Sequence, residues 1–388
     1  MVNDGQGLYL HLPWCVRKCP YCDFNSFEAR GALAEQAYVA ALLADLDAEL
    51  RERPRPRIAS VFIGGGTPSL FSAEAIARLL DGCAARTDFT ADVEITLEAN
   101  SGTAEAARLR GYLDAGVNRL SLGIQSFDDA MLARLGRIHG AAEALRAIAM
   151  AREAGCANLN LDLMFGLPEA RPGDALRDLE QAIALAPEHL SWYQLTLEEG
   201  TAFGRRPPPL PEHDLICDDY DAGLALLAAA GYAQYEISAY AREGRAARHN
   251  LNYWHFGDYL GIGAGAHGKR TDGEGRVWRT ARVRHPERYM RAALAGDAVD
   301  ERAQVRGVDL ATEFMLNALR LVAGFPLALF EQRTGLKPEV IAAPLAEALA
   351  RGWLEQRADW LRPTSAGFRF LNDLQLLFTG LDESAVAA

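Results

Sequence analysis

IASVFIGGGTPSLFSAEAIARLL, Ile58 to Leu80, runs from an apolar β-type stretch through three glycines into a segment with helical spacing. Ile58, Val61 and Ile63 favour a strand, Thr67 and Pro68 fix the turn, and Ser72 stands before AEAIARLL where an N-cap belongs. The same alternation recurs along the chain. GLYLHLP, VEITLEAN, NRLSLGIQSF, ANLNLDLMFGLP and HLSWYQLTLE read as strands, and intervening segments such as AEQAYVAALLADLDAEL carry apolar residues at helical intervals. Thr103 reads as a further N-cap, and Gly116 and Gly155 as helix stops. Six β/α units in series imply a parallel sheet, and their near-equal spacing favours a partial (β/α)6 TIM-like barrel over an open doubly wound sheet.

Beyond Leu197 the pattern loosens. A proline-rich RRPPPLPEHD leads to the helix-like ICDDYDAGLALLAAAG and then to YAQYEISAYA, read as one last strand. Residues 257–280 are rich in glycine and turn formers and read as exposed loops. From about Ala303 the chain reads as helices with two short strands in GWLEQRADWLRPTSAG, a winged-helix-like α+β pattern. The expected division is a core over 1–245, a connecting region over 246–302 and a smaller domain over 303–388.

At 388 residues, 49% hydrophobic and 24% charged, the chain can bury a substantial core. Its 40 basic and 52 acidic residues give a net charge of −12, and the one basic block is the short RERPRPR, so nucleic acid is not an expected partner. No apolar run reaches the roughly 18 residues of a membrane span, and MVNDGQG lacks the basic and apolar regions of a secretory signal. The expectation is a cytoplasmic protein without stable membrane insertion.

In a reducing compartment, clustered cysteines read as a metal site rather than a disulfide framework. HLPWCVRKCPYCDFNSF, His11 to Phe27, holds Cys15, Cys19 and Cys22 as C-x3-C-x2-C, while Cys83, Cys156 and Cys217 are isolated and read as buried small hydrophobes. Three thiolates on one loop can each hold one iron of a cubane and leave the fourth iron open to a chelating molecule. A zinc site completed by His11, or a fortuitous grouping, is the other reading. The glycines of IGGGTPSL let the backbone approach a ligand closely, although such a turn is often only a turn. Glu98 in TLEAN, Gln125 in LGIQSF and Asp162 in NLDLMFGLP are polar residues at the ends of otherwise apolar strands, the rim where β/α barrels build their sites.

CVRKCPYC, GGGTP, the LEAN glutamate, GIQSF, LGRIH and DLMFGLP together resemble the radical S-adenosylmethionine (SAM) superfamily, in the branch of oxygen-independent coproporphyrinogen III oxidase and the HemW-type haem chaperones. The likeness extends over most of the chain. It implies a [4Fe-4S] cluster on Cys15, Cys19 and Cys22, and SAM binding by Tyr9, Phe24, Gly65, Gly66, Thr67, Glu98, Gln125, Arg137 and Asp162. Two departures point away from the oxidase: Phe24 stands where its cluster motif carries a further cysteine, and the chain reaches its first strand by about Leu8 without a long extension. HNLNYW, His249 to Trp254, is similar to the H-N-x-x-Y-W motif of the haem chaperones and implies haem contact through His249, with His255 and His267 as neighbouring candidates. An imidazole ligand and flat aromatic surface suit a macrocycle, but a lone histidine is also often a core residue. Ser101, Phe165 and Ala264 depart from the usual proline, histidine and cysteine of the branch. The resemblance implies a chaperone that passes haem to haem-requiring proteins such as respiratory enzymes, with an electron donor for its cluster. The alternatives are an enzyme that decarboxylates coproporphyrinogen III and one that acts on another tetrapyrrole.

Overall fold

The computed structural model describes residues 5–51, 55–103 and 106–382. Its centre is six parallel strands, each beside the next in chain order: β1 (Gln6–Leu12), β2 (Arg57–Gly65), β3 (Asp88–Asn100), β4 (Arg119–Gln125), β5 (Leu159–Phe165) and β6 (His189–Gln194). Parallel neighbours need crossovers. These are supplied by α1 (Glu35–Leu50), α2 (Ala73–Arg86), α3 (Ala106–Asp114), α4 (Asp129–Arg134), α5 (Ala141–Glu153) and α6 (Asp174–Ala184). The expected six units and the half-barrel are therefore present. Ser72 caps α2 by accepting from the Ala75 N–H at 3.2 Å, and Gly116 and Gly155 turn the chain after α3 and α5 at φ +104° and +95°. The expected Thr103 cap involves a side chain outside the described residues.

Alternation along the strands separates two environments. Leu8, Leu10, Leu12, Val61, Ile63, Leu97, Leu120 and Leu161 face the helices and are fully buried in the main core. The intervening positions face inward in layers: Gly7 lies opposite Ser60, Tyr9 opposite Phe62, and His11 opposite Gly64. The inward residues are thus largely polar or small.

The sheet does not close but grows at both edges to twelve strands. Beyond β6, YAQYEISAYA forms two short antiparallel strands rather than one, β7 (Ala233–Glu236) and β8 (Ala239–Ala241). Beyond β1 lie β9 (Tyr259–Gly263), β10 (His267–Thr271), β11 (Val277–Arg282) and β12 (Val299–Val305). The expectation of exposed loops over 257–280 is corrected: β9 pairs in parallel with β1, and the buried Lys269 ammonium bonds the Asp258 carboxylate at 2.8 Å. Strands this short and glycine-rich carry little pattern of their own, because their partner is β1, far away in sequence.

Among the isolated cysteines, Cys83 and Cys156 are buried as expected, whereas Cys217 is half-exposed, with its sulfur 3.5 Å from the His213 ring. The C-terminal region combines helices Gly307–Ala318, Leu327–Thr334 and Ala342–Ala350 with a small antiparallel sheet of Phe325–Pro326, Trp360–Pro363 and Leu354–Arg357. Phe314, Phe325, Phe330 and Phe378 form its separate core, which Phe256 and Val277 join from outside. Among the described residues no helix is long and apolar enough to cross a membrane.

Candidate functional site

The C-terminal ends of the six strands open into a cavity of about 810 Å³. Cys15, Cys19 and Cys22 reach it from the loop after β1, which is held by the short pairing of Trp14–Cys15 with Phe27–Glu28 and by the Ala29 N–H bonding the Cys15 carbonyl at 2.8 Å. Burial raises the Cys15 and Cys22 thiols above the ordinary range. Among the described residues no three His, Cys, Asp or Glu side chains converge closely enough to hold a single metal ion. His11 has both ring nitrogens engaged, Nδ1 with the Tyr9 hydroxyl at 2.8 Å and Nε2 with the Asn25 carbonyl at 2.9 Å. A zinc site completed by His11 does not fit this arrangement, whereas thiols held apart on one loop suit a cluster whose irons each take one.

Phe24, Gly65, Gly66, Thr67, Glu98, Gln125, Arg137 and Asp162 line the same cavity. Glu98 accepts from the Gly65 N–H at 3.1 Å. Desolvation, with the nearby Asp162 carboxylate adding to it, pushes its carboxyl up to about 8. Asp162 is also raised by burial, but the Ser121 hydroxyl at 3.0 Å and the Asn160 amide at 2.8 Å favour its charged form. Gln125 is buried at a positive φ of 66°, and its Oε1 has no partner among the described residues. An acceptor buried without a partner on a strained backbone is a feature of binding sites. Arg137 points Nη1 at the Cys19 sulfur at 3.5 Å and donates Nη2 to the Gly123 carbonyl at 2.9 Å and to Asn100.

The glycine turn has a packing role beyond the one expected. Gly65 sits at φ +121°, and a Cβ there would lie 2.8 Å from the His11 ring; one on Gly66 would lie 2.5 Å from the Trp14 carbonyl. The Gly66 and Thr67 N–H groups bond the Leu12 and Trp14 carbonyls at 2.9 and 2.7 Å. These glycines are required by close packing against the cysteine loop, not only by the approach of a ligand.

Two candidates lie elsewhere. Tyr9 lines a second cavity of about 560 Å³ that meets the first at Asp23, Phe24, Gly65 and Glu98. His249 lines neither cavity. Its helix, α7 (Arg248–Trp254), packs at the N-terminal ends of β1 to β3, where the Arg248 and His249 N–H groups bond Glu94 at 2.9 and 3.3 Å. The His249 ring is 1% exposed, bonded to the Ser60 hydroxyl at 2.9 Å and the Tyr253 hydroxyl at 2.8 Å, and burial lowers it to about 3. Sequence reading missed Ser121, Ser191 and Tyr193, which also line the first cavity. The signal that finds them is the two-residue period from Asn160 to Asp162, Ser121 to Gln125 and Ser191 to Tyr193.

A parallel half-barrel with a three-cysteine loop after its first strand has the architecture of the radical SAM fold. The family model described as Radical SAM superfamily matches residues 9–186, and that described as HemN C-terminal domain matches 308–370. A protein of Escherichia coli (strain K12) named Heme chaperone HemW is 51% identical over 96% of this chain and 97% of its own length. The protein of the same name from Haemophilus influenzae is 48% identical over the same shares. The solved structure titled "Coproporphyrinogen III oxidase (HemN) from Escherichia coli is a Radical SAM enzyme" matches in fold with TM-score 0.81, covering 97% of this chain and 90% of that one at 22% identity. The chain belongs to the HemW family of the radical SAM superfamily.

Proposed function

We propose that this protein is a haem chaperone, which binds haem and hands it to haem-requiring acceptor proteins such as respiratory enzymes. The observation that carries this reading is the 51% identity over 96% of the chain to a protein named Heme chaperone HemW. Phe24 supports it, since it stands at the position where the resemblance gives the oxidase a further cysteine.

In this reading Cys15, Cys19 and Cys22 hold a [4Fe-4S] cluster, and Glu98, Gln125, Arg137 and Asp162 hold SAM beside it. The cluster supplies an open iron for chelation and a site for an electron from a donor protein. The chain's own groups do the rest. Asp162, fixed by Ser121 and Asn160, accepts from ligand hydroxyl or amino groups, and the unpartnered Gln125 Oε1 offers a further acceptor. Glu98 gives up its proton when a cationic ligand arrives, because a neighbouring positive charge favours the carboxylate. Arg137 sets a positive charge against the Cys19 sulfur.

The test is an anaerobic haem titration of cluster-loaded protein, followed at the Soret band and run beside an assay for protoporphyrinogen formation from coproporphyrinogen III. Saturable haem binding without decarboxylation is the expected result. Decarboxylation without haem binding would replace the chaperone with the oxidase.

A further inference from the structure

We infer that haem binds in the second cavity, between the β1 edge of the half-barrel and the β9 to β12 extension, with the imidazole of His267 as its axial ligand. This assignment rests on the haem-chaperone reading and gives it a location.

The two cavities differ in chemistry. The first holds the three thiols with the acidic side chains of Asp23, Glu98, Asp162 and Glu198 and the polar Ser121, Gln125 and Arg137, which suits a small polar cofactor. The second, at about 560 Å³, falls in the roughly 300–1,000 Å³ range of small-molecule pockets, and it sets five aromatic side chains beside two histidines and a charged rim. Tyr9 stacks near Phe62 with ring centroids 6.2 Å apart, and Tyr253 meets Tyr259 edge-on at 4.6 Å. Both pairs face this space, and so does Phe24, which is 57% exposed. A flat apolar macrocycle buries such rings favourably.

Iron in that space needs a ligand with a free lone pair. Two histidines line the cavity. His11 has both nitrogens bonded, to Tyr9 and to Asn25. His267, at the start of β10, is exposed, and its ring has no hydrogen-bond partner among the described residues. His249 lies beneath the Tyr9 and Phe62 rings with both nitrogens bonded, so it supports the floor of this cavity through Tyr253 rather than reaching into it. His255 bonds the Leu251 carbonyl at 2.8 Å and does not line this space.

Haem also brings two carboxylates. Arg284 is exposed at the cavity edge and has no carboxylate within ion-pair distance among the described residues; its Nε only reaches the Asn25 side chain at 3.4 Å. Asp300 and Glu301 also line the cavity and disfavour propionates beside them, and Arg284 is the exposed cation there that no carboxylate engages among the described residues, which makes it the group that orients them.

The experiment is an anaerobic titration of cluster-loaded wild type, His267→Ala and Arg284→Ala with haem and with haem dimethyl ester, read by absorption and magnetic circular dichroism. The wild type should show an imidazole-ligated spectrum. His267→Ala should lose that signature and weaken binding by about tenfold or more, retain the cluster absorption, and recover the signature when imidazole is added. Arg284→Ala should weaken haem but not the ester. Unchanged ligation in His267→Ala overturns the assignment while leaving the haem-chaperone reading intact. A wild type that binds no haem overturns both.

Discussion

Glu98 carries the clearest titration of the site. Its carboxyl, raised to about 8 by burial and by Asp162, stays protonated in the folded protein over a range where an unfolded chain has lost the proton. The stability it contributes is therefore full below the ordinary carboxyl range and is lost as pH rises through about 8. Glu98→Gln should flatten the fall in thermal midpoint of the cofactor-free protein between mildly acidic pH and about 8, and an unaltered slope would refute the assignment. Because a cationic ligand expels that proton, SAM binding to the wild type at neutral pH should release up to about one proton; calorimetry in buffers of different ionisation heat reads it, and Glu98→Gln should abolish it. His249 presents a different case. With both nitrogens bonded at 1% exposure, His249→Ala leaves Ser60 and Tyr253 without a partner and opens a void, costing about 3 kcal/mol in denaturant unfolding. Undiminished stability would mean that the ring is not the buried strut described. The H-N-x-x-Y-W motif was legible as a motif, but its burial under β1 to β3 was not, because nothing local says which way a short helix faces.

Among the elements, the six barrel strands were legible because each joins a β-type apolar run to a turn, and Ser72, Gly116 and Gly155 sit where caps and stops belong. The edge extension was not. Residues 257–280 draw their partners from β1 and from one another, so their strands are fixed by tertiary pairing. The glycine turn after β2 was legible in form, but its packing role was not, because the atoms it must avoid belong to His11 and Trp14, about fifty residues earlier. Gly65→Ala should thus destabilise the protein by about 2 kcal/mol whether or not SAM is present. It should also lower iron retained after reconstitution, since the turn anchors the cysteine loop. A loss of SAM affinity alone, with the thermal midpoint kept, would return the glycine to ligand approach.

At the scale of the molecule, the C-terminal region joins the rest of the fold through charged contacts that the sequence did not disclose, among them Arg369 with Asp221 at 2.6 Å and Arg279 with Glu313 at 2.7 Å. Arg320 bonds Glu236 at 3.0 Å, lies over the Trp254 ring at 4.2 Å, and lines the first cavity with it. Glu236 is 2% exposed, so Arg320→Ala leaves a buried carboxylate that keeps, among the described residues, the Ser238 N–H and hydroxyl. Because the guanidinium is partly exposed, the expected cost is about 2 kcal/mol, below that of breaking a fully buried pair. Calorimetric unfolding checks it, and an unchanged transition would deny the contact a structural role. The function claimed for the whole is delivery, and delivery is measured directly. Haem- and cluster-loaded protein is mixed with the haem-free form of a respiratory enzyme in the presence of excess apomyoglobin, which captures any haem that dissociates. The enzyme is expected to regain activity despite the scavenger, while free haem added at the same concentration does not restore it. Haem recovered only on the scavenger would contradict the chaperone.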